Sequence, residues 1–195
     1  MAYKFTQDYV TVNEETWKTV LGRYVNSPNT KILEIGSYEG RSTIWFLENI
    51  LTHETAEITC LDHFFCESFY LNISKFAPKV RLVTNNSQIA LRDKSFLVPC
   101  FDVIYIDGGH SAPDVIADAI LSFTSLKIGG ILIFDDYLWD DETFLDKGKV
   151  FNNEEIIRQQ PKLAIDAFIS IYFDSLELIH KEYQVILRKK RNSNF

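Results

Sequence analysis

Residues 101–137 read FDVIYIDGGHSAPDVIADAILSFTSLKIGGILIFDDY, and the fold class follows from them. Two apolar runs, residues 103–106 and 131–134, each end abruptly in acid: Asp107 after the first, Asp135 and Asp136 after the second. Between them residues 112–126 have helical period, with Pro113 in the first turn, where a missing N–H does no harm. Strand, helix and strand of these lengths read as a parallel βαβ unit. Both strands then end at one edge of the sheet, the edge where open α/β sheets bind ligands. Three carboxylates, and His110 just beyond Asp107, are expected to converge there. Carboxylates crowded at a partly buried edge are costly unless paired, hydrogen-bonded or bound to metal. The cluster therefore marks a candidate site.

The alternation continues in both directions. Residues 31–35, 57–61 and 80–84 read as strands, and 41–51, 67–76 and 87–97 as the helices after them, the last two ended by Pro78 and Pro99. Upstream, residues 13–25 read as an amphipathic helix capped by Asn13, with Trp17, Val20, Leu21 and Tyr24 on one face. Gly129-Gly130 is expected to turn the chain into the fifth strand. Residues 137–160 are polar, irregular and long for a passive connection, the character of a lid over a site. A helix at 162–170 begins at Pro161, and 176–180 with 183–188 should form an antiparallel hairpin. The expected fold is α/β: a Rossmann-like three-layer αβα sandwich around a seven-stranded, mostly parallel sheet with a C-terminal antiparallel hairpin. Residues 1–195 then make a single domain, with 1–30 as an N-terminal helical extension.

Composition agrees. A chain of 195 residues, 46% hydrophobic and 24% charged, can bury one sizeable core. A net charge of −7 argues against a nucleic-acid surface. The basic run at 188–191 reads as a solvated strand end. Cys60, Cys66 and Cys100 form no CxxC pair, and their odd number argues against a disulfide framework. Cys60 and Cys100 are expected to be buried packing residues. No apolar run has the length of a membrane span and the first residues carry no signal core, so a soluble, cytoplasmic protein is expected.

The first strand runs into EIGSYEGRS, residues 34–42. A strand, a glycine turn and a helix N-terminus allow a nucleotide-like ligand to approach the backbone, although a tight βα turn alone leaves the same trace. The spacing is not GxGxxG, so the glycine that seats a pyrophosphate is missing and a ligand without phosphates suits the loop better. Asp62 ends the second strand, about 20 residues past the loop, where an acid accepts ribose hydroxyls or caps the next segment. Asn85, Asn86 and Ser87 end the third strand and either read an adenine edge or cap the next helix.

With CLDHF at 60–64 and LKIGGILIFDDYLW at 126–139, these segments resemble the class I S-adenosylmethionine-dependent methyltransferases, over residues 31–189. The resemblance implies S-adenosylmethionine as cofactor. Its methionine part would lie at Glu34, Gly36, Ser37, Tyr38, Gly40 and Ser42, its ribose at Asp62 beside His63, and the remainder near Asn86, Ser87 and Asp107. Tyr38 stands where many members carry a further glycine, a variant common in the small-molecule O-methyltransferase branch. Within the family the chain is similar to the metal-dependent O-methyltransferases of catechol and macrolide-sugar type. That similarity implies Mg²⁺ or another divalent cation on Asp107, Asp135 and Asp136, with His110 of the Asp-x-x-His spacing as base. Tyr137 and Trp139 either wall the acceptor or pack in the core. The implied reaction is O-methylation of a small-molecule acceptor. A homodimer through the exposed face of the N-terminal helix is a further expectation. The competing readings are a metal-independent enzyme of the same fold, an inactive scaffold and an NAD-dependent enzyme. Intact acids argue against the second, the absent pyrophosphate glycine against the third. A nucleic-acid methyltransferase lacks support in strand four, which ends IDGGH.

Overall fold

In a computed structural model, residues 3–139 and 159–192 are described. The strands are β1 (Lys31–Ile35), β2 (Glu57–Asp62), β3 (Val80–Thr84), β4 (Phe101–Ile106), β5 (Leu126–Phe134), β6 (Leu176–Lys181) and β7 (Val185–Lys189). They form one sheet in the order β3-β2-β1-β4-β5-β7-β6. The first five are parallel, and β7 enters antiparallel between β5 and β6. The helices are α1 (Glu14–Leu21), α2 (Arg41–Asn49), α3 (Glu67–Ile73), α4 (Ser87–Ala90), α5 (Ala112–Phe123) and α6 (Pro161–Ile171).

Successive side chains of a strand point to opposite faces, and here both faces are covered. Leu33, Ile35, Ile104, Ile106, Leu132 and Phe134 pack with Val115, Ala119 and Phe123 of α5 and Phe168 of α6. Ile32, Val103, Tyr105, Ile131 and Ile133 pack instead with Trp17 of α1, Phe46 of α2 and Phe69 of α3. The central strands are therefore near-continuous apolar runs, as two-sided burial demands. Trp17 is the anchor of the second layer. Its ring lies 4.9 Å from that of Phe46, nearly parallel, and its Nε1 donates to Gln184 Oε1 at 2.7 Å, tying α1 to the turn before β7.

Several expected boundaries shift for local reasons. The N-terminal helix is not capped by Asn13, whose amide donates to the Tyr9 carbonyl. Asp8 takes that task, accepting from the N–H groups of Val10 and Thr11, and a 3₁₀ turn at Thr11–Asn13 leads into α1. α3 tightens into a 3₁₀ stretch, Ser74–Lys79, which contains Pro78. The helix expected at 87–97 stops at Ala90. Asp93 accepts from Ser95 N–H and starts a separate 3₁₀ turn, Lys94–Phe96, a side chain competing with the helix for backbone donors. Gly129 and Gly130 do not precede the fifth strand but lie inside it. Gly129 has φ +80°, and the β4–β5 register shifts between Phe101 and Val103, so the pair forms an irregularity in one long strand.

The basic run at 188–191 is not wholly solvated. Lys189 is buried, donating to the carbonyls of Phe123 at the end of α5 and Leu126 at the start of β5, while Arg188 pairs with Glu177. Cys60 is buried as expected, but Cys100 is only partly so. The expected lid at 137–160 lies outside the described residues except at its ends. No helix among the described residues is long and apolar enough to cross a membrane.

Candidate active site

The site begins where β1 ends. Gly36 turns the chain at φ +84°, and a Cβ there would stand 2.0 Å from the carbonyl oxygen of Asp107. Only glycine lets the loop lie this close to the end of β4. Asp107 N–H donates to Ile35 O at 2.8 Å, closing the same contact from the other side. Glu34 holds the loop from beneath. Its carboxylate is fully buried and accepts from the hydroxyls of Ser37 at 2.8 Å, Ser42 at 2.6 Å and Thr43, and from the Cys60 thiol at 3.4 Å. Burial still raises the Glu34 carboxyl above its ordinary value, against the pull of those bonds. Glu34 and Gly40 thus stand behind the cleft, Gly40 packed on Phe69, whereas Gly36, Ser37, Tyr38 and Ser42 line it.

The cleft above this loop has a volume of about 940 Å³ and runs along the C-terminal ends of β1 to β5. Asp62, at the end of β2, accepts from Ser37 N–H at 2.9 Å and from Phe64 N–H at 3.2 Å, with His63 Nδ1 at 3.3 Å. Beyond it, Asn86 caps α4 through Ile89 N–H at 3.3 Å, so its oxygen is already engaged although the residue lines the cleft. Ser87 lines the same end.

The acids converge at the other end. Asp107, His110 and Asp136 bring one ligand atom each within 4.8 Å of one another. His110 Nε2 stands 3.1 Å from Asp136 Oδ2, and Tyr183 donates to Asp136 Oδ1 at 3.0 Å. Asp136 holds φ +58°, a left-handed conformation that turns its side chain toward His110. Asp135 is engaged differently: it accepts from the Tyr105 hydroxyl and from Asp136 N–H at 2.9 Å. Tyr105 also lies 3.0 Å from Asp107 Oδ2. Desolvation, then the charges of Asp135 and Asp136, push the Asp107 carboxyl well above the usual range. Burial and Asp136 raise Asp135 in the same direction. Such crowding of like charge is relieved by a shared proton or by a cation. Trp139 faces the cleft with its ring 4.8 Å from His110, while Tyr137 is a core residue bonded to Asp166 and Lys162.

Four contributions are not in the sequence reading. Tyr105 shares a strand face with Asp107, two residues on, so period-two reasoning reaches it. Asp118 lies on the buried stripe of α5 with Val115, Ala119 and Ser122, and an acid on an apolar stripe is a legible signal. Tyr183 and the segment from Gln7 to Asn13, which also line the cleft, come from long-range contacts. Thr6 N–H donates to Glu39 at 2.6 Å, and Arg41 reaches both Asp8 and Glu14. Nothing local announces those pairings.

The sequence profile of a methyltransferase-domain family matches residues 33–137, from β1 through the acids that follow β5. No curated protein sequence matches the chain. Among solved structures, a candidate O-methyltransferase from Klebsiella pneumoniae superposes with a TM-score of 0.68 at 16% identity, over 96% of this chain and 84% of that one. A candidate caffeoyl-CoA O-methyltransferase from Staphylococcus aureus does so with a TM-score of 0.63 at 18% identity, over 97% and 86%. The methyltransferase MycE of mycinamycin biosynthesis, solved with Mg and S-adenosylhomocysteine, gives 0.66 at 19% identity, over 96% of this chain and 52% of its own. The chain thus spans about half the length of MycE. Its sequence match places the chain in the methyltransferase-domain family, and its fold is that of the class I S-adenosylmethionine-dependent methyltransferases.

Proposed function

We propose that the protein methylates a hydroxyl group of a small-molecule acceptor, using S-adenosylmethionine and a divalent cation. The convergence of Asp107, His110 and Asp136 at one end of a cleft floored by the glycine loop carries this reading. Arg41 is the one Arg or Lys lining the cleft among the described residues, and it is paired with Asp8 and Glu14. A cleft lined by carboxylates repels phosphates and suits a cofactor that carries a sulfonium cation instead.

The donor set fits a hard cation, because Asp107 and Asp136 offer carboxylate oxygens and their mutual repulsion is relieved by positive charge. A divalent cation there would lower the pKa of an acceptor hydroxyl, and S-adenosylmethionine supplies an electrophilic methyl group. The chain's own residues do the rest. Gly36 and Ser37 present loop backbone to the cofactor, and Asp62 retains lone pairs for ribose hydroxyls. His110 Nε2 stands 3.1 Å from Asp136 Oδ2, and as the base His110 would receive the hydroxyl proton on the ring nitrogen that does not donate to Asp136. Trp139 and the exposed rings of Tyr9 and Phe64 give the acceptor an apolar wall. Asp135, oriented by Tyr105, stands behind the pair and adds negative field. Most of the rate comes from holding the hydroxyl in line with the S–CH₃ bond. MycE, which holds Mg and S-adenosylhomocysteine, supports the same pairing of cofactor and cation here.

Calorimetry with S-adenosylhomocysteine, with and without Mg²⁺ and beside NAD⁺, tests the reading. Micromolar binding of the first, none of NAD⁺, and a gain with Mg²⁺ that Asp136→Ala removes are expected. Failure to bind S-adenosylhomocysteine in either condition rejects the cofactor. Binding that ignores Mg²⁺ rejects the cation.

A further inference from the structure

The turn between β6 and β7, residues 182–184, has no task in the scheme above, yet it lies against the acids. β7 runs antiparallel to β5, with Val185 opposite Phe134. Carried on past the strand ends, that register sets Gln184 against Asp135 and Tyr183 against Asp136. Two bonds hold the turn in place: Glu182 N–H donates to Gln184 O, and Tyr137 N–H to Tyr183 O, each at 2.9 Å. Neighbouring residues of the turn therefore meet neighbouring acids, a consequence of the antiparallel strand beside β5.

Successive side chains of an extended chain point to opposite sides. Tyr183 opens on the cleft, 44% exposed, and its hydroxyl donates to Asp136 Oδ1 at 3.0 Å. Gln184 turns inward and is 2% exposed. Its Oε1 accepts from Trp17 Nε1 at 2.7 Å, which fixes the way the amide faces. Its Nε2 is buried with no partner within hydrogen-bond distance among the described residues. Such a donor is costly unless it finds an acceptor. The acceptor it approaches is Asp135, whose burial the Gln184 amide offsets. Trp17 also meets the Tyr105 ring edge to face, 5.3 Å between ring centres, and Tyr105 bonds Asp135 from another side. Trp17 thus backs both side chains that attend Asp135. Carboxylates on a cation keep their orientation through hydrogen bonds from groups that do not touch it. On the cation reading above, on which this step rests, we infer that Tyr183 and Gln184 are positioning residues: Tyr183 fixes Asp136, and Gln184, set by Trp17, fixes Asp135. Neither residue touches the cation or the acceptor hydroxyl in this role; each acts through its acid.

The test measures two affinities by calorimetry on the full chain: that for Mg²⁺ with S-adenosylhomocysteine saturating, and that for S-adenosylhomocysteine in metal-free buffer. Tyr183→Phe removes only a hydroxyl and keeps the ring. It should weaken Mg²⁺ about 10–100-fold, the usual loss when a ligand's hydrogen-bond partner is removed, and leave metal-free S-adenosylhomocysteine binding unchanged. Gln184→Met, similar in length but without the amide, should weaken Mg²⁺ in the same direction and by less, because Asp135 stands behind the cation. Wild-type affinity for Mg²⁺ in either variant overturns the inference for that residue and leaves the cation reading standing. Loss of both affinities together makes the residue a structural part of the cleft and overturns its positioning role. Wild-type protein that binds no Mg²⁺ rejects the cation reading and this inference together. Gln184→Met also strands Trp17 Nε1, so it is the variant at risk of folding poorly; Tyr183→Phe, at a half-exposed position, decides the result for Asp136 without it.

Discussion

Single carboxylates set the behaviour of this molecule, and they divide by what surrounds them. Glu34 is buried beneath the glycine loop and serves three hydroxyls at once. Glu34→Ala strands Ser37, Ser42 and Thr43 in the interior. The expected cost is about 3–5 kcal/mol of stability, read as a lower urea midpoint. An unchanged midpoint would mean that the loop is held by other contacts. Asp118 behaves in the opposite sense. Burial pushes its carboxyl up to about 6, with the charge of Asp114 adding and the Ser87 bond opposing. A folded-state pKa above the unfolded one means the native protein holds the proton more tightly. Its contribution to stability is therefore full below about pH 4, falls as pH rises toward about 6, and is level beyond. Asp118→Asn removes that loss. Relative to wild type, the variant should gain about 1–3 kcal/mol between pH 4 and pH 7 in the ligand-free protein. Urea titrations at the two pH values measure it, and a pH-independent difference sinks the claim. Of the candidate residues, those at strand ends were legible because a strand of known polarity delivers its last side chain to a known edge. Asp107, Asp135, Asp136 and Asp62 all obey that rule. The division of labour among them was not legible, since it depends on how the Tyr105 hydroxyl is shared between Asp107 and Asp135, a cross-strand contact that the pattern of one strand does not give.

Elements carry the site through their ends. β1 and β4 are bonded neighbours, and their last residues pass so closely that Gly36 and Asp107 form one structural unit. Gly36→Ala drives a Cβ into the Asp107 carbonyl and imposes an unfavourable φ. It should therefore unfold the protein or displace Asp107 enough to abolish binding of S-adenosylhomocysteine. Circular dichroism and calorimetry separate the two outcomes, and a folded variant that binds normally contradicts the packing. The strands were readable because two-sided burial writes them as short apolar runs ending in acid or glycine. The helices over the cleft were less so. α4 reads as a long helix by period alone, but its N-cap and Asp93 claim the backbone locally and break it after Ala90. β5 reads as starting after its glycines, yet pairing with β4 carries the strand back to Leu126, since neighbouring strands satisfy backbone groups that sequence pattern does not display.

Across the whole molecule the decisive quantity is charge. The chain carries a net −7, and the cleft collects Asp62, Asp107, Asp114, Asp118, Asp135 and Asp136 along one side of the sheet. Low-dielectric walls focus such a field, so a cationic ligand is favoured beyond its direct contacts. S-adenosylmethionine and S-adenosylhomocysteine differ by one methyl group and one positive charge on sulfur, which makes the pair a probe of that field. Salt shortens the Debye length from about 30 Å at 0.01 M to about 3 Å at 1 M. The affinity for S-adenosylmethionine should therefore fall more steeply with NaCl than that for S-adenosylhomocysteine. The gap between the slopes should narrow when Mg²⁺ occupies the acid end, because the cation cancels much of the field. Titrations of both ligands across that salt range, with and without Mg²⁺, give the slopes directly. Parallel slopes without Mg²⁺ would mean that the acids are already neutralised, by shared protons at Asp107 and Asp135, whose raised pKa values point that way. Diverging slopes would mean that the charge is present and available, and that the cleft is built around a cation before any acceptor arrives.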